Sequence, residues 1–325
     1  FIISNTKEIS SELTAQEIDF YIKNSQDNLS TKIKNVSKLY EIAVTKYDLA
    51  QDISYTQEVS NELLLITNTQ EEYDSFVSKV KSNDFELFAI NENIIKNISG
   101  HIGNLQVTVV DEEEDIVLNV SQIVWFGAKQ MGLNQSGTFD TNFSNIDEII
   151  DTLKTNINSY SYKKFTTYDK TICQYDGRRE VICSKCEEVC PTVAITKDDK
   201  TKTLTFSQID CHGCGGCISV CPSGALDYAP SNKEALFEMS KFYKDTHPLI
   251  VPSKMNVQDL EVSLKENVLP FAIEGEKFLD ETAFLTLLQM SGSQVIFYSD
   301  FLSKGTKDAI RIVNDIYQKK YQKDA

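Results

Sequence analysis

All eight cysteines of this 325-residue chain lie between Cys173 and Cys221, and their spacing repeats. Each copy of the repeat reads C-x2-C-x3-C-P, and the two copies are 31 residues apart. The members are, in order, Cys183, Cys186, Cys190 and Pro191, then Cys214, Cys217, Cys221 and Pro222. The second copy has one further cysteine in front, Cys211. No other feature of the sequence restricts the fold and chemistry as strongly.

Iron–sulfur chemistry explains this spacing. A four-iron cluster has four iron corners, and three closely spaced thiolates on one tight loop reach three of them, so the fourth ligand comes from elsewhere. The complete C-x2-C-x2-C-x3-C-P run from Cys211 to Pro222 resembles the bacterial two-cluster [4Fe–4S] ferredoxin family. The resemblance covers residues 173–230, which is under a fifth of the chain.

The resemblance implies two [4Fe–4S] clusters in which the last cysteine of each run binds the other run's cluster. The implied ligands of cluster I are Cys173, Cys183, Cys186 and Cys221. Those of cluster II are Cys211, Cys214, Cys217 and Cys190. Glycines between the second-copy cysteines are expected to let backbone N–H groups point at the sulfurs.

The first copy departs from the family pattern at one position. Where the repeat predicts a cysteine, the chain has Glu180, and the nearest upstream thiol is Cys173, seven residues earlier. We expect Cys173 to loop back and complete cluster I, because it is the only cysteine without another role. The alternatives are a three-cysteine cluster such as [3Fe–4S], or a Glu180 carboxylate on the fourth iron. Zinc or disulfides are the other uses of paired cysteines, but neither requires the C-x3-C-P ending.

Charge restricts the partners. The formal net charge is −16, which argues against nucleic acid because phosphate binding needs a basic surface. The first 170 residues hold 26 acidic and 14 basic side chains, so the acidity is concentrated there. A basic redox protein is one expected partner, and a face that only keeps the protein in solution is the alternative. The oligomeric state is not predicted.

Targeting signals are not visible in the sequence. No run approaches eighteen apolar residues, and the first residues lack the charged lead and apolar core of a signal peptide. The sequence therefore predicts a cytoplasmic protein without a membrane span. Because the chain does not begin with methionine, we expect it to be part of a longer polypeptide.

The flanks of the cysteine segment predict an α/β and α+β chain with two α/β regions around a ferredoxin-like dicluster module. The expected domains are 1–165, 166–230 and 231–325. In the first, residues 61–90 predict a strand–helix–strand unit, residues 105–120 a hairpin, and residues 142–159 a helix entered at Ser144 or Asn145. Alternation over Tyr40–Thr45 predicts a further strand.

The last third alternates between strand and helix patterns, which predicts a parallel sheet. Strands are expected at 249–251, 268–273 and 294–298, and helices at 256–266, 280–290 and 304–321. A ferredoxin module followed by a small α/β unit is similar to iron–sulfur proteins of hydrogenase and heterodisulfide reductase complexes. This third has no cysteines of its own, so the similarity implies a docking unit.

Two further features have competing interpretations. Ser303-Lys-Gly-Thr306 opens a predicted helix and lacks the full phosphate-binding loop, so a helix cap is favoured over an anion site. His212 lies inside the second cysteine run, where it either tunes a cluster or is an exposed loop side chain.

The function predicted from these patterns is electron transfer, by a ferredoxin-like protein or a subunit of a larger oxidoreductase. The alternative is a catalytic oxidoreductase in which an α/β region binds a nucleotide, flavin or small substrate and the clusters relay electrons. A third hypothesis is an assembly scaffold with structural or regulatory clusters.

Overall fold

The computed structural model describes residues 2–51, 54–111, 114–127, 135–253, 255, 257, 260, 262–275 and 277–323. The strands of these ranges are β1 (Ile3–Ser4), β2 (Leu13–Thr14), β3 (Ser54–Gln57), β4 (Glu62–Ile66), β5 (Glu86–Ile90), β6 (Ile95–His101), β7 (Asn104–Asp111), β8 (Glu114–Val120), β9 (Gln122–Trp125), β10 (Thr138–Asp140), β11 (Tyr160–Lys163), β12 (Thr166–Tyr168), β13 (Ile195–Asp198), β14 (Thr203–Phe206), β15 (Leu226–Tyr228), β16 (His247–Pro252), β17 (Val268–Ile273) and β18 (Ile296–Phe297). The α-helices are α1 (Gln16–Asn24), α2 (Leu29–Leu49), α3 (Gln70–Val77), α4 (Ile146–Asn156), α5 (Lys185–Glu188), α6 (Gly216–Ser219), α7 (Lys233–Ser240), α8 (Glu281–Ser291) and α9 (Lys304–Tyr321).

A four-stranded parallel sheet, in the order β10-β9-β4-β5, forms the centre of the N-terminal part. Strand β4 is buried on both faces, as expected for a continuous apolar run. Leu63 and Leu65 pack against α3 and α4, whereas Leu64 and Ile66 pack against the antiparallel β6-β7-β8 sheet. The predicted strand–helix–strand unit and the hairpin are thus confirmed. Helix α4 is confirmed as well, and the Asn145 side chain caps it.

The predicted strand over Tyr40–Thr45 is wrong, because these residues lie inside α2. The Asn28 side chain accepts a hydrogen bond from the Thr31 N–H at 3.0 Å and starts the helix. Leu39, Ile42 and Ala43 are then buried at spacings of three and four. In a segment where apolar residues fit periods of both 2 and 3.6, the cap and the long buried face favour the helix.

The C-terminal part contains a parallel sheet in the order β17-β16-β18, as predicted. Helices α8 and α9 are confirmed, and α9 begins and ends at the predicted residues. The helix expected at 256–266 falls partly outside the described residues, and it is wrong over 262–265. There Leu264 pairs with residues 24–26 through two backbone hydrogen bonds of 2.9 Å.

Helices α1 and α2 share a hydrophobic core with the C-terminal sheet rather than with the β4 sheet. Ile18 and Leu39 pack in the same core as Ile250 and Phe271. The Asp27 carboxylate also accepts a hydrogen bond from the Asn267 N–H at 2.9 Å. The domain limits at 165 and 230 stay predictions, but residues 15–49 do not group with the rest of 1–165. Amphipathic patterns show which face of a helix is buried and not which other face covers it.

The cysteine segment lies between these two parts. Antiparallel pairing of β12 with β15 brings its two ends together, and β13–β14 forms a hairpin between the cysteine runs. The Tyr228 ring stacks on Phe278 of the C-terminal part, with centroids 4.6 Å apart. The Asp210 carboxylate accepts hydrogen bonds of 2.8 Å from the N–H and hydroxyl of Ser136 in the N-terminal part. None of the described helices is both long and apolar enough to cross a bilayer.

Candidate metal centre

Two cavities inside the cysteine segment are each bordered by four cysteines. We call them cavity I and cavity II. The cysteines around cavity I are Cys173, Cys183, Cys186 and Cys221. Those around cavity II are Cys190, Cys211, Cys214 and Cys217.

The exchange of cysteines between the cavities follows from two short helices. Helix α5 carries Cys186 and helix α6 carries Cys217, each at the cavity of its own copy. The two helices contact each other. After each helix the chain turns, so Cys190 reaches cavity II and Cys221 reaches cavity I.

The cysteines surround a space rather than a point. In the described part of the chain, no three His, Cys, Asp or Glu side chains are placed to hold a single metal ion. Four thiolates on one zinc ion would each lie about 2.3 Å from it. All eight cysteines are free thiols. The arrangement therefore fits a polynuclear cluster better than zinc, and it contains no disulfide.

Tight backbone packing forms the wall of cavity II. Gly213 and Gly215 have φ angles of +66° and +78°. A Cβ atom on Gly215 would lie 2.4 Å from the Cβ of Phe278, and one on Gly213 would lie 2.6 Å from the Phe165 ring. Only glycine fits both positions. With this geometry the Gly213 backbone N–H also donates to the Cys211 thiol.

The segment between Cys173 and Cys183 folds back over cavity I. Cys173 is 8% exposed, and its sulfur accepts hydrogen bonds of 3.4 Å from the N–H groups of Tyr175 and Asp176. The Arg178 side chain donates from Nε to the Cys173 carbonyl at 2.7 Å. Glu180 is exposed and is not among the residues around cavity I. Cavity I is therefore bordered by the Cys173 thiol and not by the Glu180 carboxylate.

Burial makes several thiols difficult to ionise without a cation. Burial raises the pKa of Cys186 to about 12, and it raises the pKa of Cys211 and Cys217 as well. Iron binds thiolates, so loading the cavities must release protons from these groups. The cations of a cluster then compensate the buried negative charge.

Two hydroxyl groups lie near Cys190 and Cys221, which we call the crossing cysteines because each borders the cavity of the other copy. The cysteine pattern alone does not indicate these hydroxyl groups. Thr192 Oγ1 lies 3.5 Å from Cys190 Sγ, and Ser223 Oγ lies 3.7 Å from Cys221 Sγ. The two residues are 31 positions apart and each follows a Cys-Pro pair. Extending the repeat past the prolines would have found them.

A buried polar group lies beside Cys173. Asp176 Oδ2 accepts a hydrogen bond of 2.9 Å from the Tyr168 hydroxyl, and Oδ1 lies 3.0 Å from Lys170 Nζ. Burial opposes ionisation of Asp176, but the Lys170 ammonium and the Tyr168 hydroxyl outweigh it and lower the pKa of the carboxyl. Burial and the neighbouring Cys173 and Asp176 raise the pKa of Tyr168. Tyr168 thus stays a donor, and Asp176 is a fixed negative charge near cavity I.

Comparison with known families gives the nature of this segment. Residues 181–225 match the family model described as a 4Fe-4S dicluster domain. This part of the chain is a dicluster [4Fe–4S] module. Seven of the eight cysteines lie inside the matched range, and Cys173 lies outside it. Two cavities that are each bordered by four cysteines, with backbone N–H donors at the sulfurs of Cys173 and Cys211, fit the two clusters that such a module binds.

A curated relative supports the assignment of the module. The chain is 34% identical over 65 residues to the polyferredoxin protein MvhB of Methanothermus fervidus. The alignment covers 18% of this chain and 16% of that protein. The similarity therefore concerns only a small part of each protein, and together with the family match it supports iron–sulfur electron transfer as the role of the module.

The remaining sequence-predicted residues lie at the edges of the module. His212 is exposed and borders cavity II. Ser303 caps α9 by accepting a hydrogen bond from the Thr306 N–H at 3.1 Å, as predicted. A Cβ on Gly305 would lie 2.7 Å from Ser219 Oγ, so the start of α9 packs against the dicluster module.

Proposed function

We propose that this chain transfers electrons between redox proteins through its two clusters, as a ferredoxin-like protein or as a subunit or module of a larger oxidoreductase complex. The observation that carries the proposal is the pair of cavities, each bordered by four cysteines, that exchange one cysteine each inside a single dicluster module. When bound, each cluster accepts and releases one electron.

The proposed ligands are the cysteines around each cavity. Cluster I takes Cys173, Cys183, Cys186 and Cys221, and cluster II takes Cys190, Cys211, Cys214 and Cys217. The position of Cys173 supports its role, because it is buried and receives two N–H hydrogen bonds at its sulfur. Cys190 follows α5, the helix at cavity I, but borders cavity II, and Cys221 follows α6, the helix at cavity II, but borders cavity I. Because such short segments connect the two cavities, we expect the clusters to lie close enough for electron transfer between them.

The protein's own contribution is to hold the ligands in fixed positions. The loop around Cys214 is bonded to the C-terminal part, because the Lys277 N–H donates to the Cys214 carbonyl at 3.0 Å. The Tyr228 hydroxyl donates to the Gly213 carbonyl at 3.0 Å. A ligand frame held in this way changes little when charge is added, which keeps the reorganisation that accompanies electron transfer small.

The proposed partners are redox proteins, and the proposed compartment is the cytoplasm. Free thiols of this number are typical of reducing compartments. The relative covers only a small part of the chain, so the donor, the acceptor and any complex are part of the proposal.

The test is the iron and acid-labile sulfide content of anaerobically purified protein, with EPR spectra before and after dithionite. We expect about eight iron and eight sulfide per chain, and interacting signals from the reduced clusters. About seven iron with an oxidised [3Fe–4S] signal would show that Cys173 is not a ligand. Zinc without sulfide, or clusters that are reduced only when the protein unfolds, would overturn electron transfer.

A further inference from the structure

One end of the dicluster module exposes apolar side chains directly beside cluster ligands. Ile172 precedes Cys173 and is 46% exposed. Val181 and Ile182 precede Cys183 and are 50% and 70% exposed. The six residues 177–182 are all exposed. We call Ile172, Arg179, Val181 and Ile182 the cluster I face.

Of the four corresponding positions in the second copy, Asp210 and Gly213 are buried, Thr203 is half-buried, and His212 is exposed but not apolar. The residue 31 positions after Ile182 is Gly213, which is buried and packs against the Phe165 ring. Ile209, in the segment just before Cys211, is buried against Val59 of the N-terminal part. The exposure of the cluster I face is therefore a property of the first copy and not of the repeat.

Arginine is concentrated at the same place. The chain has three arginines, and two of them, Arg178 and Arg179, lie in this exposed segment. Arg178 is bonded to the backbone carbonyls of Thr171 and Cys173. In the described residues no carboxylate lies within ion-pair distance of Arg179. Its planar guanidinium suits a carboxylate on another protein, which it can bind through two parallel hydrogen bonds.

We propose that the cluster I face is the docking surface for a one-electron redox protein whose own surface has carboxylates around an apolar centre. An apolar patch with a charged rim is the usual composition of such transient interfaces. The inference rests on the proposed electron transfer and adds the site of exchange and the charge of the partner. It differs from the expectation from net charge, which favours a basic partner. In the docked complex one electron leaves the reduced protein and reduces one partner centre, and no bond forms or breaks.

The test measures electron transfer from the reduced, fully loaded chain to two haem proteins at low ionic strength. Cytochrome b5 is the acidic acceptor and cytochrome c the basic one, and each ferric haem takes one electron. The double variant Arg179→Glu/Ile182→Ser should slow transfer to cytochrome b5 about fivefold to tenfold. It removes both the electrostatic attraction of Arg179 for the acidic acceptor and the apolar contact made by Ile182. The effect should shrink as salt is added, since salt screens the charge.

The control is Lys319→Glu/Ile316→Ser on α9, which makes the same change in charge and also replaces an exposed isoleucine, 40% exposed against 70% for Ile182. Its rate with cytochrome b5 should stay within about twofold of the wild type. Iron, sulfide and EPR spectra must be unchanged in both variants. If the Ile182→Ser change causes loss of iron, the double variant Arg179→Glu/Val181→Ser is used in place of the first face variant. Equal rates of transfer to cytochrome b5 in the face variant and the control would overturn the docking surface. A face variant that reduced cytochrome c more slowly than the wild type does would overturn the acidic partner. Failure of the wild type to reduce either haem protein would instead contradict the proposed function.

Discussion

The two ends of the dicluster module contain the same chemistry in different surroundings. At cavity II, Phe165 and Phe278 pack against Gly213 and Gly215, and the two residues before Cys211, Ile209 and Asp210, are buried. At cavity I the segment before Cys183 is exposed, with Ile182 at its tip. The repeat determines which side chains surround each cavity. The contacts with the rest of the chain determine which segments beside the cavities are covered and which are exposed.

This difference coincides with the one place where the repeat is broken. The second copy supplies its own leading cysteine, Cys211, and the first copy has Glu180 instead. Cys173 borders cavity I, and residues 177–182 lie on the surface. The break in the repeat thus coincides with an exposed segment beside cavity I.

Removing single cysteines should separate the two ends most strongly. Cys217→Ser should destabilise cluster II, and Cys173→Ser cluster I only, because each thiol borders one cavity. Each variant should lose up to about four of about eight iron per chain, or retain a [3Fe–4S] core in the affected cavity. Iron analysis and EPR on anaerobic protein check this.

Cys190→Ser is the control for the crossing. Although it lies in the first copy, it should produce the cluster II phenotype of Cys217→Ser. If it instead resembles Cys173→Ser, the crossed ligand sets are wrong. Retention of all iron in Cys173→Ser would remove Cys173 from the ligands.

A pair of glycine substitutions compares how tightly the two ends are packed. Gly215→Ala should lower the free energy of unfolding by about 2–5 kcal/mol, because a positive φ is combined with overlap with Phe278. Gly177→Ala also has a positive φ, +70°, but its Cβ would meet nothing within 4 Å. It should cost only about 1–2 kcal/mol.

Anaerobic urea titration followed by circular dichroism measures both variants. Gly177→Ala should in addition retain all its iron. Equal losses of stability in the two variants would contradict the view that cavity II is enclosed and the loop before Cys183 is open.

The cysteines that border each cavity could be predicted from sequence, because cluster geometry requires a fixed cysteine spacing. Helix α9 could be predicted too, since its cap and its long amphipathic pattern agree. The alternation at Tyr40–Thr45 misled the prediction of α2, because a short window fits two periods. Pairing of α1 and α2 with the C-terminal sheet depends on which buried faces meet, and periodicity does not contain that information.

The environment of the clusters could be predicted only in part. Backbone N–H donors such as those of Tyr175 and Asp176 leave no residue-type signature, since every residue except proline has one. The exposure of Ile182 depends on what the flanking parts cover. Thr192 and Ser223, in contrast, are visible in the repeat.

Asp176 should make the reduction potential of cluster I more negative without affecting cluster II. Asp176→Asn removes a buried negative charge beside Cys173, so we expect the cluster I potential to rise by on the order of 50 mV. The pKa of this carboxyl is lowered, so it is ionised throughout the range above its ordinary pKa of about 3.9. The shift should therefore be constant from about pH 5 to pH 9.

EPR-monitored redox titration of the wild type and Asp176→Asn at several pH values gives this shift for each cluster. A shift that disappears towards pH 5 would mean that the carboxyl titrates there, against the predicted direction of its pKa. An equal shift in both clusters would mean that the charge is not local to cluster I.

The smallest expected effect concerns the hydroxyl groups of Thr192 and Ser223, which occupy equivalent positions of the repeat, one at each cavity. Removing each of them compares the two cavities directly. Once a cluster is bound, the crossing sulfurs are thiolates, so Thr192 and Ser223 must donate to them. Loss of a donor disfavours the reduced, more negative state, so Thr192→Val should lower the cluster II potential by roughly 10–30 mV. Ser223→Ala should lower the cluster I potential by less, because the contact is longer, 3.7 Å against 3.5 Å. Redox titration of the two single variants measures both shifts. A larger shift in Ser223→Ala would mean that the shorter distance at Cys190 does not give the stronger hydrogen bond, and the contrast between the two ends would then be one of access alone.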